Sequence, residues 1–296
     1  MSLMKTIAMT LVLTAAVFTG TSFAAPAKGE KKGILIASFG TSMPEAKKAI
    51  DNLVEAAKKA FPETEVRVAY TSNIIRRKIA REQKVFIPTP LEALARMNDE
   101  GFSHVCVMPM HIIPGAEYDE IRSVAEAMAS IKGNYGFKEV RVGQPFLSSV
   151  PACDRMAEIL VKRFEKQLAD KDTAVVLMGH GTPHHIANAL YSQLQLSLNK
   201  AAEGRFFLGT VEAAPLIEDV IGALKKSPYR KLVISPLMIV AGDHANNDLA
   251  DKEDPESWYS LLKAAGYSDI TPYLVGLGED PEMAKTFVDH LKEAMK

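Results

Sequence analysis

The most constraining feature of this sequence is a series of strand-like and helix-like segments that occurs twice in the same order. Residues 33–46, GILIASFGTSMPEA, resemble residues 174–187, AVVLMGHGTPHHIA; two further pairs follow, VRVAYTSNII with FFLGTVEAAPLI, and VCVMPMHIIPGAEYDE with LVISPLMIVAGDHANND. Apolar strands that alternate with helices are typical of parallel sheets covered on both faces. We therefore predict an α/β fold of two similar lobes, each a parallel sheet flanked by helices, related by an internal repeat.

The repeat also sets the expected domain boundaries. The chain has 296 residues, of which 47% are hydrophobic and 24% are charged, a composition typical of globular proteins. We expect an N-terminal lobe over residues 25–146, a connecting helix within residues 147–171, and a C-terminal lobe over residues 172–296.

The first 24 residues have the pattern of a secretory signal peptide. Lys5 precedes an apolar run from Ile7 to Phe18, and Ser22 and Ala24 suit the −3 and −1 positions of a cleavage site. The run is shorter than the roughly 20 apolar residues of a membrane-spanning helix. We predict export to the periplasm and no stable membrane span; the alternative is an uncleaved membrane anchor.

Charge and cysteine content exclude some classes of partner and bond. The formal net charge of −1 gives no overall attraction for nucleic acid, so no nucleic-acid partner is expected. Export would permit a disulfide between the two cysteines, Cys106 and Cys153. Both lie in apolar surroundings, so we predict packed thiols and leave a bridge as the alternative.

Two sequence patterns predict where helices begin. Ser42 and Glu45 have the spacing of a capping box, with Pro44 at the first helical position. Thr89 and Glu92 repeat that spacing, and a proline again lies just inside.

Candidate metal-binding side chains follow three strands of the second lobe. His180 ends the first strand, Glu212 ends the second, and His244 follows the third. Ligands of parallel α/β sheets bind outside the carboxyl ends of the strands. Two imidazoles and a carboxylate are suitable ligands for a divalent first-row metal with open coordination positions, so we predict such a site in the C-terminal lobe.

The first lobe has different side chains at the corresponding positions. Phe39, Ser72 and Glu117 stand where the second lobe has its candidate ligands, and Glu117 could face the same cleft from the opposite side. The metal site is therefore assigned mainly to the second lobe.

The other histidines have less specific surroundings. His184 and His185 are expected at the rim or on a helix surface, because they follow a proline near a helix start. We predict structural roles for His104, His111 and His290; of the three, His111 lies close in sequence to Glu117.

The segments MGHGTPHH, GTVEAAP, PMHIIPGAEYDE and SPLMIVAGDHANND resemble those of the anaerobic, class II sirohydrochlorin cobaltochelatases. The resemblance implies a two-lobed α/β fold and insertion of Co2+ into sirohydrochlorin without ATP or an organic cofactor. It implies that His180 is catalytic, that His244 is the second family histidine, and that Glu212 is the acidic metal ligand. An export signal is a departure from a family that works in a cytosolic pathway.

The sequence is compatible with more than one metal and more than one oligomeric state. Fe2+ is an alternative to Co2+ as the metal substrate, because such ligands discriminate little between the two. A homo-oligomer is compatible with the sequence.

The proposed reaction gives the candidate residues chemical roles. A metal that enters a tetrapyrrole displaces two pyrrole protons, and a histidine can accept one near neutral pH. His180 is the predicted proton acceptor and also a ligand. Sirohydrochlorin is rich in carboxylates, so Arg76 and Arg77 are candidate substrate-binding residues, with an ordinary solvated helix face as the alternative. Glu117 is the third candidate substrate-binding residue.

A rival from a different class is a periplasmic metal-binding or tetrapyrrole-binding protein that transfers its cargo without turnover. A histidine phosphatase built on the GHG sequence is a weaker alternative, because the arginine that accompanies the histidine of an RHG motif is absent from this one.

Overall fold

The computed structural model describes residues 30–296, so the predicted signal peptide lies outside the described residues. The strands are β1 Lys32–Ser38, β2 Glu65–Tyr70, β3 His104–Pro109, β4 Glu139–Val142, β5 Thr173–Gly179, β6 Phe206–Thr210, β7 Lys231–Pro236 and β8 Asp269–Pro272. The helices are α1 Pro44–Ala60, α2 Asn73–Glu82, α3 Pro90–Asp99, α4 Ala116–Ser130, α5 Val150–Arg163, α6 Glu165–Leu168, α7 Ala189–Ala202, α8 Ile217–Leu224, α9 Trp258–Ala264 and α10 Pro281–Ala294.

The strands form two four-stranded parallel sheets with the same internal order. The first sheet runs β2-β1-β3-β4 and the second runs β6-β5-β7-β8. In both sheets the first strand in sequence has neighbours on either side, because β1 pairs with β2 and β3, and β5 pairs with β6 and β7. This arrangement confirms the predicted fold of two similar parallel α/β lobes.

Each sheet is buried on both faces, as its apolar strands predict. Alternate residues of β1 and β5, including Ile34 and Val175, enter one hydrophobic cluster that both lobes share. The intervening residues enter a separate cluster in each lobe, represented by Leu35 in the first and Val176 in the second. Burial on both faces accounts for the nearly continuous apolar sequence of these strands.

Two helices pack against the lobe opposite to the one their neighbouring strands belong to, a feature that the predicted domain boundaries did not include. Helix α5 leaves the first lobe and packs on α7, whereas the C-terminal helix α10 returns and packs on α1. Arg163 bonds Asp280 at 3.1 Å, and Arg155 bonds Glu282 at 2.8 Å, which joins α5 to the start of α10. Boundaries at residues 146 and 172 thus separate the two sheets. They assign α10 to the C-terminal lobe, although this helix packs on α1 of the N-terminal lobe.

Only one of the two predicted capping boxes is present. Thr89 and Glu92 cap α3 reciprocally, as expected. The prediction for α1 is wrong, because Pro44 takes the first helical position and makes Met43 the N-cap. Ser42 therefore lies one residue too early for the capping-box geometry.

Both cysteines are free and buried, which confirms the predicted packed thiols. Burial raises the pKa of Cys106 to about 12 and that of Cys153 to about 11. Neither thiol is therefore activated as a nucleophile. No helix within residues 30–296 is long and apolar enough to cross a membrane.

Candidate active site

A cavity of about 660 Å³ lies at the carboxyl ends of the two sheets and is lined by both lobes. The volume is in the range of small-molecule sites. Its walls are mainly apolar, and its polar lining includes His180, Glu212 and His244 from the second lobe and His111 and Glu117 from the first. This is the location that the crevice rule for parallel sheets predicts.

The turn that carries His180 depends on glycine at both neighbouring positions. Gly181 has a φ of +86°, a conformation that favours glycine, and a Cβ there would meet the Thr210 hydroxyl and Ala213 backbone. A Cβ on Gly179 would lie 2.7 Å from the ring of Tyr191. The chain can therefore turn sharply at the end of β5 and present His180 to the cavity.

Tyr191 supports this turn from below. It is almost fully buried, and its hydroxyl accepts a hydrogen bond from the Gly181 backbone N–H at 3.4 Å. Burial raises the pKa of Tyr191 to about 12, so the phenol stays neutral at ordinary pH. Its role here is to hold the backbone behind His180.

The backbone also holds Glu212 beside His180. The Glu212 N–H donates to the His180 carbonyl at 2.9 Å, which continues the ladder between β5 and β6 beyond the strand ends. The Glu212 Oε2 lies 3.7 Å from His180 Nδ1. The ring centroids of His180 and His244 are 4.8 Å apart with an interplanar angle of 81°. The three side chains named by the sequence therefore come together at one wall.

Hydrogen bonds leave one nitrogen of each histidine free to bind a metal. His180 Nδ1 lies 2.9 Å from the Gly181 carbonyl oxygen, and His244 Nδ1 contacts the Asp248 carboxylate. Since both partners accept only, each Nδ1 carries the hydrogen, and each Nε2 keeps a lone pair in the neutral ring. The sequence interpretation missed Asp248, although its position four residues after His244 is a helical spacing that could have suggested the contact.

The three candidate ligands form an open arrangement. Their side chains are 36%, 40% and 37% exposed for His180, Glu212 and His244, so solutes reach all three. Over residues 30–296, no group of three His, Cys, Asp or Glu side chains has the spacing of a preformed metal cage. The wall thus offers separate donors that an incoming ion would draw together.

The first lobe faces these donors with a different set of side chains. The ring of Phe39 lies 6.4 Å from that of His180, and Phe39 is 41% exposed in the cleft. Glu117 also lines the cavity; its Oε2 is 2.8 Å from His111 Nε2 and 3.5 Å from the Thr71 hydroxyl. The expectation that Glu117 faces the cleft from the opposite side agrees with this placement.

The two predicted substrate-binding arginines are placed differently. Neither Arg76 nor Arg77 is among the residues that line the cavity. Arg76 is half-buried and bonds the Glu92 carboxylate at 2.6 Å and the Ile87 carbonyl at 2.8 Å, so it ties α2 to α3. Lys78, one residue beyond the predicted pair, is the cation of this helix that lines the cavity.

The remaining histidines lie away from the candidate ligands. His185 Nε2 contacts the Asp119 carboxylate of the opposite lobe at 3.1 Å, so His185 lies at the junction between the lobes. His184 precedes it with a φ of 54°. His104 bonds the neighbouring Ser103 hydroxyl. Burial lowers the pKa of His290, which lies on α10 near Phe146.

Comparisons with known proteins agree with the fold and identify the family. The model of the cobalt chelatase (CbiK) family matches residues 32–296. The chain is 35% identical over 265 residues to the sirohydrochlorin cobaltochelatase CbiKC of Nitratidesulfovibrio vulgaris, covering 90% of this chain and 91% of that protein. It is 34% identical to the sirohydrochlorin cobaltochelatase of Salmonella typhimurium, covering 90% of this chain and 97% of that protein.

Solved structures support the fold at lower identity. SirB from Bacillus subtilis, solved with Fe3+, superposes with a TM-score of 0.59 at 15% identity and covers 89% of this chain and 95% of its own. At this identity the likeness concerns the fold alone. The family match over nearly all of the described residues, together with two relatives above 30% identity, establishes that the chain belongs to the CbiK cobalt chelatase family.

Proposed function

We propose that this protein is a sirohydrochlorin cobaltochelatase that inserts Co2+ into the macrocycle without ATP. The observation that carries the proposal is the meeting of His180, Glu212 and His244 at one wall of an inter-lobe cavity, in a chain of the cobalt chelatase family. Two curated relatives named as sirohydrochlorin cobaltochelatases match it over 90% of its length. Fe2+ is a second candidate metal, because nitrogen and carboxylate donors accept both ions.

The open ligand set suits a metal that is a substrate rather than a resident cofactor. A chelatase must bind its ion and then release it to four pyrrole nitrogens. A closed set of protein ligands would oppose that release, whereas separate, exposed donors bind the ion and keep coordination positions available. We assign the docking of the ion to His244 and Glu212, with His180 as the third ligand.

Metal insertion also requires two protons to leave the macrocycle. His180 is the proposed acceptor of one of them, because its Nδ1–H is engaged with the Gly181 carbonyl and its Nε2 lone pair is available. Glu117 stands on the opposite wall and is proposed to accept a hydrogen bond from the second pyrrole N–H, whose proton then passes to solvent at this exposed carboxylate. The apolar walls between them match the hydrophobic faces of a tetrapyrrole.

A turnover assay separates this function from that of a binding protein. Purified protein is incubated with sirohydrochlorin and either Co2+ or Fe2+, without ATP, and the absorption change is followed. We expect many metallated macrocycles per protein molecule, with Co2+ faster than Fe2+. A change that stops at one equivalent would instead support the alternative, a metal- or tetrapyrrole-binding and trafficking protein.

We further propose that the protein works in the periplasm after removal of residues 1–24. The support is the sequence pattern of Lys5, the apolar run and the Ser22/Ala24 site. Intact-mass measurement of protein from the periplasmic fraction should give a chain that begins at Ala25 or within a few residues of it. Full-length chain in the cytosolic fraction would contradict export.

A further inference from the structure

His111 occupies a position between the first sheet and the cavity. It follows β3, its side chain is 13% exposed, and it lines the cavity wall opposite His180. Its backbone carbonyl accepts a hydrogen bond from the Phe146 N–H at 3.0 Å, which fixes the chain at this point. The ring is therefore held in place from behind and touches the cleft at its edge.

The His111 ring makes a hydrogen bond through one of its two nitrogens. Nε2 lies 2.8 Å from the Glu117 Oε2, while Nδ1 is buried and has no hydrogen-bond partner among residues 30–296. A histidine kept only for packing would be expected to satisfy both nitrogens, since an unpaired buried polar atom costs free energy. Within residues 30–296, the hydrogen bond of this ring goes to a carboxylate that faces the cavity.

The contact also fixes the tautomer. A carboxylate accepts hydrogen bonds, so the hydrogen of the neutral ring belongs on Nε2, where it donates to Glu117. The opposite tautomer would place the Nε2 lone pair against the carboxylate and would bury an unpaired N–H. Thr71 also contacts Oε2, and none of the described residues is hydrogen-bonded to the Glu117 Oε1. One carboxylate oxygen is held, and the other stays unengaged.

Both lobes have a histidine–carboxylate pair at the cavity, but the residue that faces the cavity is the histidine in one lobe and the carboxylate in the other. Glu117 and His244 are equivalent positions, two residues after the matching glycines Gly115 and Gly242. In the second lobe His244 faces the cavity and the carboxylate of Asp248 holds it. In the first lobe the carboxylate faces the cavity and His111 holds it.

We propose that His111 is a positioning residue that fixes Glu117 for contact with the macrocycle. The Nε2–H holds Oε2 in place, so that Oε1 can accept a hydrogen bond from a pyrrole N–H when the tetrapyrrole enters. The inference rests on the proposed function, because it requires a tetrapyrrole in this cavity.

The test compares two amides of different length at position 111. In His111→Gln the side-chain NH2 reaches about as far as Nε2 and can still donate to Glu117, whereas in His111→Asn it stops near the position of Nδ1. We expect His111→Asn to lower kcat with Co2+ by about 10- to 100-fold, the usual effect of losing a residue that orients a site group. His111→Gln should stay within about threefold of wild type. The cobalt KM should change little in both variants, since the metal donors lie on the other lobe.

A double-mutant cycle asks whether His111 acts through Glu117. Glu117→Gln and the double variant His111→Asn/Glu117→Gln should have the same kcat, because the position-111 change has no carboxylate left to orient. A multiplicative loss in the double variant would overturn the proposal. So would full activity in His111→Asn, or a loss in His111→Gln as large as that in Glu117→Gln.

A second readout keeps this inference distinct from the proposed reaction. The dissociation constant for metal-free sirohydrochlorin is measured by absorption titration for the same variants. If wild type binds the macrocycle but does not turn over, the chelatase proposal fails. The positioning of Glu117 is then tested by the affinity for metal-free sirohydrochlorin. His111→Asn should weaken that affinity as much as Glu117→Gln does, and His111→Gln should leave it unchanged. Circular dichroism and thermal melts check that each variant is folded.

Discussion

The two lobes have the same backbone at the cavity and different chemistry on it. In the first lobe the Ser72 N–H donates to the Phe39 carbonyl at 3.3 Å; in the second the Glu212 N–H donates to the His180 carbonyl at 2.9 Å. The glycine after each of these strand ends has a positive φ, +94° at Gly40 and +86° at Gly181. The repeat therefore reproduces the positions of side chains at the strand ends in detail.

What differs is which side chains occupy those positions. The second lobe has an imidazole or a carboxylate at all three, in His180, Glu212 and His244, whereas the phenyl ring of Phe39 and the neutral hydroxyl of Ser72 stand at two of the corresponding sites in the first. In the function that we propose, the second-lobe wall provides the metal ligands and a base, and the first-lobe wall provides an aromatic surface and the carboxylate of Glu117.

The largest expected effect on activity comes from replacing the histidine at the end of β5. His180→Ala should lower chelatase kcat by about 100- to 10,000-fold, even at saturating cobalt, because a general base is lost together with a ligand. The equivalent change in the other lobe, Phe39→Ala, should cost less than about tenfold, because a phenyl ring carries no lone pair. Steady-state assays with Co2+ and sirohydrochlorin measure both.

The comparison of the two strand ends would fail in either of two ways. A loss below about tenfold for His180→Ala would contradict its role as base. A metal-soaked crystal with the ion bound away from His180, Glu212 and His244 would contradict the ligand set whatever the activities.

The next effect concerns the residues assigned only to metal docking. His244→Ala and Glu212→Ala should raise the cobalt KM, and part of the lost rate should return at high cobalt. Asp248→Asn should raise the same KM by about tenfold, because the carboxylate that orients His244 is lost while the ligand itself remains. Isothermal titration with Co2+ provides a direct measurement. An unchanged Co2+ affinity in all three variants would show that these residues do not bind the metal.

A smaller effect tests which cation meets the carboxylates of the substrate. Lys78 lines the cavity and is exposed, so Lys78→Ala should raise the sirohydrochlorin KM about two- to fivefold, the range of an exposed ion pair. The increase should shrink at high salt. Arg77→Ala, one residue away and outside the lining, is the matched control and should change this KM less.

Arg76 offers a stability readout on the same helix. Because its guanidinium bonds Glu92 and the Ile87 carbonyl, Arg76→Ala should lower the melting temperature by several degrees. If Arg76→Ala instead raised the sirohydrochlorin KM strongly and left the melting temperature unchanged, Arg76 would be a substrate-binding residue as the sequence predicted.

The smallest effect is expected at the junction of the lobes. His185 contacts Asp119 in a partly exposed pair, and His184 stands next to it, so alanine at either position should change kcat and KM by less than about twofold. A tenfold loss at His185 would mean that this junction holds the two walls in register.

Several features of the fold and site could be predicted without coordinates. The parallel sheets and the two-lobed repeat follow from the alternation of apolar strand-like and helix-like segments. The convergence of His180, Glu212 and His244 follows from one further rule, that parallel strands end at a common edge. Local rules were less reliable where a single residue decides the register, as at Ser42, where Pro44 moves the N-cap to Met43.

Side-chain partnerships were not predictable to the same degree. Arg76 and Lys78 lie two residues apart on one helix, yet one bonds α3 and the other lines the cavity. The sequence contains both charges but no information on which helix face meets a neighbour. The pairing of His111 with Glu117 likewise depends on how the turn after β3 folds back onto the start of α4.

The sequence by itself determined the two parallel sheets and the residues at their strand ends, because hydrophobic period and strand polarity act within short segments and are repeated in both halves. Only the tertiary structure decided that α5 and α10 cross between the lobes and that Lys78 rather than Arg76 lines the cavity. These features depend on distances between whole elements. Such distances are set by the packing of buried surfaces from both lobes, which no short segment of the chain encodes.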